Sequence, residues 1–135
     1  MKYKIILHII CTIFAMCLMV SLCSCNQSKI CIKEKSFYSE FKVQDGKVYI
    51  YCTLYIDNLT GAEKNIAVQA FFKQDVKNGL LKDALVDGYL IEGNTKCLKL
   101  KEGENRFDVV FIGEHAGQYV KHDRNLPDIK ITELD

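Results

Sequence analysis

Glu114, His115, His122 and Asp123 lie in one connection between Gly113 and Pro127. Imidazole nitrogens and carboxylate oxygens are the donors that a divalent ion such as zinc takes, provided the chain folds back to bring His115 and His122 together. Their spacing in a loop matches no tight ligand motif, so the sequence predicts no metal and no other cofactor. The plainer reading is a solvated loop in which Asp123 and Arg124 pair at the surface, worth about 0–1 kcal/mol. A connection of this length is nevertheless a place where function tends to sit.

Nucleophiles are less promising. Ser28, Ser36 and Ser39 stand in no Gly-x-Ser-x-Gly elbow. Cys52 falls on the core side of an alternating run and reads as a small buried hydrophobe. No catalytic residue is expected, and the chain does not read as an enzyme. Cys31 and Cys97 fall on outward faces, and on neighbouring strands they would form a disulfide contributing about 2–4 kcal/mol. Asn58-Leu59-Thr60 has the form of a glycosylation sequon but is read as a turn. The second candidate binding surface is the row Tyr49, Tyr51 and Tyr55, because aromatic rows on a sheet can hold partners or sugars. The competing reading is a strand face covered in part by its neighbours.

Periodicity indicates which elements hold these residues. Val48, Ile50, Cys52, Leu54 and Ile56 alternate with Tyr49, Tyr51, Thr53, Tyr55 and Asp57, which marks a strand with one face in a core. Phe37, Ser39, Phe41 and Val43 alternate likewise, and Asp45-Gly46 between the two runs predicts a hairpin. A third strand sets Ile66, Val68, Ala70 and Phe72 on one face. Between Val76 and Gly88 the spacing of Leu80, Leu81, Ala84 and Leu85 predicts one or two helical turns. Further strands are expected at 89–91, 96–101, 106–112 and 128–134, with apolar residues on both faces of 106–112 marking a central strand. About seven short strands over about 100 residues predict an all-β fold, an immunoglobulin-like antiparallel β-sandwich. No Trp is present and no second cysteine faces Cys52, so the antibody-type inter-sheet disulfide is excluded.

Ahead of this body, Met1-Lys2-Tyr3-Lys4 precedes an apolar run from Ile5 to Leu22 and then Cys23-Ser24-Cys25. Early lysines, an apolar segment and a small residue before the cleavage point are the parts of a secretory signal helix. An uncleaved anchor is the alternative, since the run reaches the lower edge of what spans a bilayer. The expected division is a signal at 1–24, a modified Cys25 with a short tether at 25–35 and the β-domain at 36–135. Cleavage would leave Cys31, Cys52 and Cys97, an odd and widely spaced set that excludes a paired CxxC metal site. Loss of Lys2 and Lys4 takes the formal charge from +1 to −1. The remaining lysines are interleaved with acidic residues, so no nucleic acid partner is expected.

Leu22-Cys23-Ser24-Cys25 resembles the bacterial lipobox, with the aliphatic residue three positions before the cysteine and the small one directly before it. That resemblance implies a diacylglyceryl group on the Cys25 sulfur, and two acyl chains give stable anchoring. The run from Val48 to Asp75, with Ile56-Asp57-Asn58 followed by Val68-Gln69-Ala70-Phe71-Phe72, resembles the FxLYD-type immunoglobulin-like domains of small bacterial surface lipoproteins. It implies fold and location and carries no site residue. The expectation is an extracytoplasmic lipoprotein on the cell membrane, a non-catalytic binding or interaction module whose partner is an envelope protein or wall component. The alternatives are an accessory subunit that offers an edge strand and a metal-binding protein using the 113–127 loop. Fully extended, the stretch from Cys25 to Phe37 reaches about 40 Å, which keeps the partner near the membrane.

Overall fold

The computed structural model describes residues 29–119 and 123–134. The signal segment, Cys25 and His122 lie outside the described residues. These form eight strands, β1 (Ile30–Ile32), β2 (Phe37–Gln44), β3 (Lys47–Asn58), β4 (Lys64–Phe71), β5 (Leu85–Leu90), β6 (Leu98–Leu100), β7 (Gly103–Glu114) and β8 (Asp128–Leu134), and one short helix, α1 (Lys73–Lys77). Every strand pairing is antiparallel. The fold is therefore all-β, with β1 as a strand beyond the seven expected. β1 lies within the 25–35 span, and its Ile30 is part of the core.

β3 and β7 pair along their whole length, from Lys47↔Glu114 to Asn58↔Gly103. β2 and then β1 line the other side of β3. β4 is flanked by β8 on one side and by β5 and β6 on the other. β5 belongs to both halves: Leu85 to Asp87 pair with β4, and Gly88 to Leu90 pair with β7. The strands thus make one sheet that turns over through β5 and comes close to a closed barrel. Its two ends, β2 and β8, leave a seam.

Gly88 sits where β5 changes partners. A Cβ there would lie 2.8 Å from Phe111 Cε1 and 2.8 Å from Val68 Cγ2, so a residue without a side chain is what lets the halves approach. Asp87, just before the corner, accepts from Gln69 Nε2 (2.8 Å) and Lys96 Nζ (2.7 Å). These bonds, Lys96 first, hold its carboxyl below the usual range.

The long strands follow their alternation. Val48, Ile50, Cys52, Leu54 and Ile56 of β3 are buried, as are Ile66, Val68 and Ala70 of β4, Phe72 just after it, and Val109 and Phe111 of β7. Phe72 and Phe111 meet edge to face across the core at 5.9 Å. The β2–β3 turn has positive φ at both Asp45 (51°) and Gly46 (73°), as a primed two-residue hairpin requires. Asn58 is fully buried, donating to Ala62 O and accepting from Thr60 N and Oγ1. The sequon is thus an Asx turn.

Two expectations fail locally. The alternation of Phe37, Ser39, Phe41 and Val43 does not give one face, because a bulge between Tyr38 and Glu40 shifts the register. Tyr38 and Phe41 pack on the core, while Phe37 is 49% exposed. The helical turn lies at 73–77 rather than within 76–88. It stops at Gly79, whose φ of 75° breaks the helix, and Leu80 N–H closes back on Asp75 O at 2.9 Å. Leu80 and Leu81 are buried in an irregular segment, so their spacing reflects core contacts rather than a helix face.

Candidate functional site

The outward side of β3 and its neighbours carries the tyrosine row. Antiparallel register sets Glu40, Tyr51, Val110 and Tyr89 in one line across β2, β3, β7 and β5. Lys42, Tyr49 and Ile112 form the line on one side of it, and Tyr55 stands opposite Arg106 farther along. A line missed from sequence runs between these: Phe37, Thr53, Asp108 and Ile91, the last donating its N–H to Asp108 O at 3.0 Å. Phe37 and Ile91 are each 49% exposed and stand at its two ends. Between them Thr53 Oγ1 donates to Asp108 Oδ1 at 2.7 Å, and Arg106 Nη2 donates to the same oxygen at 3.0 Å. A depression of 450 Å³ opens here, lined by Ser39, Glu40, Tyr51, Thr53, Ile91 and Asp108.

The tyrosines themselves are partly covered. Lys35 Nζ lies 4.2 Å from the centre of the Tyr55 ring, Lys42 Nζ 5.4 Å from Tyr51 and Lys96 Nζ 5.3 Å from Tyr89. Ammonium groups over ring faces are a mild attraction at exposed sites. The uncovered apolar area of this face is therefore Phe37 and Ile91 rather than the predicted stripe alone. The bulge in β2 hid Phe37, since strict alternation assigns it to the core.

The described part of the 113–127 connection is largely exposed, but its first stretch is tied down by backbone hydrogen bonds. Ala116 N–H donates to Leu80 O (2.9 Å), Gln118 N–H to Gly79 O (3.0 Å) and Lys82 N–H to Glu114 O (3.0 Å), so its first part is laced to the segment after α1. His115 N–H donates to Gly46 O at 2.9 Å, and its Nε2 lies 3.0 Å from Gln118 O. Among the described residues no group of three or more His, Cys, Asp or Glu side chains could hold a metal ion.

Farther along, the expected surface pair of Asp123 and Arg124 is replaced by a buried one. Arg124 Nη1 donates to Asp75 Oδ2 at 2.8 Å and Nη2 lies 2.6 Å from Oδ1, with the two side chains only 5% and 6% exposed. The guanidinium also stands 4.5 Å from the centre of the Phe41 ring, and Phe41 stacks on Tyr119 at 5.6 Å. This cluster ties the connection to β2 on one side of the seam and to α1 on the other. Burial pushes the nearby Tyr38 phenol up, against the opposing pull of Arg124. The partners are 49 residues apart in sequence, and no local pattern announces them.

All three described thiols are free. Cys31 lies on β1 beside β3, whereas Cys97 adjoins β6 beside β4, so the neighbouring strands that a disulfide needs are absent. Burial pushes the Cys52 thiol up to about 12, which leaves it inert as a nucleophile. The chain matches no family model, no curated protein and no solved structure.

Proposed function

We propose that this protein is a non-catalytic binding module, an immunoglobulin-like domain held at the outer face of a bacterial membrane by a lipid on Cys25. The observation that carries the binding reading is the outward face of β2, β3, β7 and β5, where exposed Ile91 lines the depression over Thr53 and Asp108 and exposed Phe37 stands opposite Thr53 at the other end of the same line. Paired apolar flanks around a few polar groups are the composition of a protein-contact patch. The immunoglobulin-like relation is supported by two sheet halves packed on one core, while the passage of β5 between them, which joins the halves into one nearly closed sheet, is a departure from a two-sheet sandwich. The lipid reading is supported by the lipobox-like Leu22-Cys23-Ser24-Cys25. With β1 starting at Ile30, the free reach from Cys25 is about 17 Å rather than 40 Å, so the partner is an envelope protein or wall component close to the membrane. Among the described residues no helix is long and apolar enough to cross it.

The test has two parts. Intact mass and membrane fractionation should find a species starting at Cys25 with a lipid-sized increment, absent in Cys25→Ala. An unprocessed chain would make residues 5–22 an anchor instead. Crosslinking in membranes should capture an envelope component that Phe37→Ser/Ile91→Ser loses. A second reading, an accessory subunit joined by strand addition, is favoured by β8, which among the described residues pairs only with β4. A stoichiometric companion that survives Phe37→Ser/Ile91→Ser and is lost when Lys130 is replaced by Pro would support it.

A further inference from the structure

We propose that the end of the barrel from which the tether departs is a membrane-contact surface, with Leu59 seated among the headgroups of the bilayer that holds the chain. This inference rests on the reading that residues ahead of β1 fix the chain to a membrane, and it is independent of what binds the outward face.

Five strands begin or end here. Ile30 of β1 and Gly103 of β7 stand on either side of Asn58, the last residue of β3, and Lys64 opens β4 opposite Leu100 of β6. The buried Asn58 donates through Nδ2 to Ala62 O at 2.8 Å and to Lys101 O at 3.3 Å, which joins the β3–β4 turn to the β6–β7 turn. Leu59 N–H donates to Lys29 O at 2.7 Å, so the same turn is tied to the residue directly before β1. The Asx turn uses the side chains of Asn58 and Thr60. That of Leu59 is left outside at 64% exposure, the highest among the large hydrophobic side chains described.

A lone exposed leucine carries no meaning by its exposure, but its place does. Cys25 lies five residues ahead of Ile30, a reach of about 17 Å. β3 is twelve residues long, which sets the β2–β3 turn about 36 Å from Asn58. A chain held at Cys25 therefore keeps Leu59 beside the bilayer, and the β2–β3 turn reaches it only if the barrel lies on its side.

The rim of this end suits a bilayer surface. Lys29, Lys99 and Lys101 are exposed and make no ion pair among the described residues, while Lys64 meets Glu133 at 3.8 Å. Lysine stems lie along apolar material while their ammonium groups stay level with the phosphates. Leu134, 40% exposed, adds apolar area opposite Asn65. Glu63 and Glu102 are also exposed at this end, so no broad positive field selects anionic lipid. Contact is local, a leucine in the interface and single lysines on phosphates. Upright, the barrel carries Thr53 about 17 Å above Asn58, so the depression beside it faces sideways, where an envelope partner is met.

The full-length ¹⁵N-labelled chain, purified from bacterial membranes into nanodiscs of phosphatidylethanolamine and phosphatidylglycerol, tests this with a lipid that carries a nitroxide on its headgroup. Amide signals of Leu59, Thr60, Gly61 and Lys101 should broaden at least about tenfold more than those of Asp45 and Gly46, given the separation of the two ends. Leu59→Ser alters only an exposed side chain and should reduce the broadening at Thr60 and Gly61 at least about threefold. Val43→Ser, 36% exposed near the far end, should leave it unchanged. Intact mass of the same sample reports whether Cys25 bears the lipid; without that increment the lipid reading fails, while the broadening still decides the contact. A chain absent from the membrane fraction would sink the anchoring reading and this inference together. A membrane-bound chain that broadens equally at both ends of β3, or more at the β2–β3 turn, would sink this inference alone. Undiminished broadening in Leu59→Ser would overturn the seating of Leu59.

Discussion

The β3–β7 ladder and the seam between β2 and β8 close the same barrel by opposite means. Along the ladder the backbone is paired from Lys47↔Glu114 to Asn58↔Gly103, and the side chains have only to alternate. At the seam no ladder joins the edges among the described residues, and closure rests on Arg124, Asp75, Phe41 and Tyr119, brought from three separate segments. Continuous pairing makes a region tolerant of side-chain chemistry but intolerant of lost volume. Discontinuous closure makes a region depend on particular functional groups.

Two large effects sharpen that contrast. Phe111→Ala on the ladder side empties a fully buried site against Phe72 and should lower unfolding free energy by about 3–5 kcal/mol. Arg124→Ala at the seam leaves Asp75 buried without its guanidinium and should cost a similar amount, about 3–5 kcal/mol. The regions then separate on repair. Replacing both members of the seam pair, as Arg124→Met/Asp75→Leu, should recover most of the loss, since apolar residues of similar volume often match or exceed a buried ion pair. Denaturant titration of the three variants checks this, and a double variant no better than Arg124→Ala would show that the seam needs the pair itself.

Gly88→Ala comes next. The added methyl would meet Phe111 and Val68 at 2.8 Å, which predicts a loss of about 1–3 kcal/mol from overpacking. Adding Val68→Ala should return part of it if the clash is the cause. Gly46→Ala meets nothing within 4 Å and would report only the strain of its positive φ, so the two glycines distinguish crowding from backbone conformation.

The ladder was legible in the sequence and the seam was not, for the same reason. Val48 to Ile56 and Ile66 to Phe72 lie on long strands with one face in the core, where period two follows directly from the pleat. β1 is too short to show a period, and the bulge at Ser39 reversed the faces of Phe37 and Tyr38. Leu80 and Leu81 mimicked helical spacing because an irregular segment also turns apolar residues inward. The Tyr49, Tyr51 and Tyr55 row was correctly placed on one face, but the lysines above it and the flanking Ile91 depend on register between strands. Arg124 could not be found locally, since its meaning lies in Asp75.

Cys52 gives a smaller and pH-dependent effect on the ladder side. Its thiol stays protonated in the folded state until about 12, against an ordinary value of 9.0. Between those values the unfolded chain releases a proton that the folded chain keeps, so stability should fall as pH rises, by up to about 1.4 kcal/mol per pH unit from this group. Cys52→Ala should flatten that part of the profile. In native protein Cys31 should react with an alkylating agent promptly and Cys52 only on unfolding.

The smallest predicted effect concerns an ion-pair network on the ladder's own surface, and it shows why the seam pair is different. Glu104 on β7 receives Lys35 Nζ at 2.5 Å and Lys33 Nζ at 3.1 Å, while Lys33 also reaches Asp57 at 3.2 Å. Hydrogen bonds from Lys35 and then Lys33 hold the Glu104 carboxyl below its ordinary 4.5. Because the folded value is the depressed one, its contribution is present above pH 4.5 and is lost as pH falls through the folded value. These groups are solvent-exposed, so water and salt screen them. Glu104→Gln should therefore change the melting temperature slightly near neutral pH, and that difference should vanish in high salt. The Arg124→Ala loss, carried by a desolvated pair, should persist in the same salt. Equal salt sensitivity of the two would mean that solvent reaches the seam as freely as the surface, and the distinction between paired and side-chain closure would fail there.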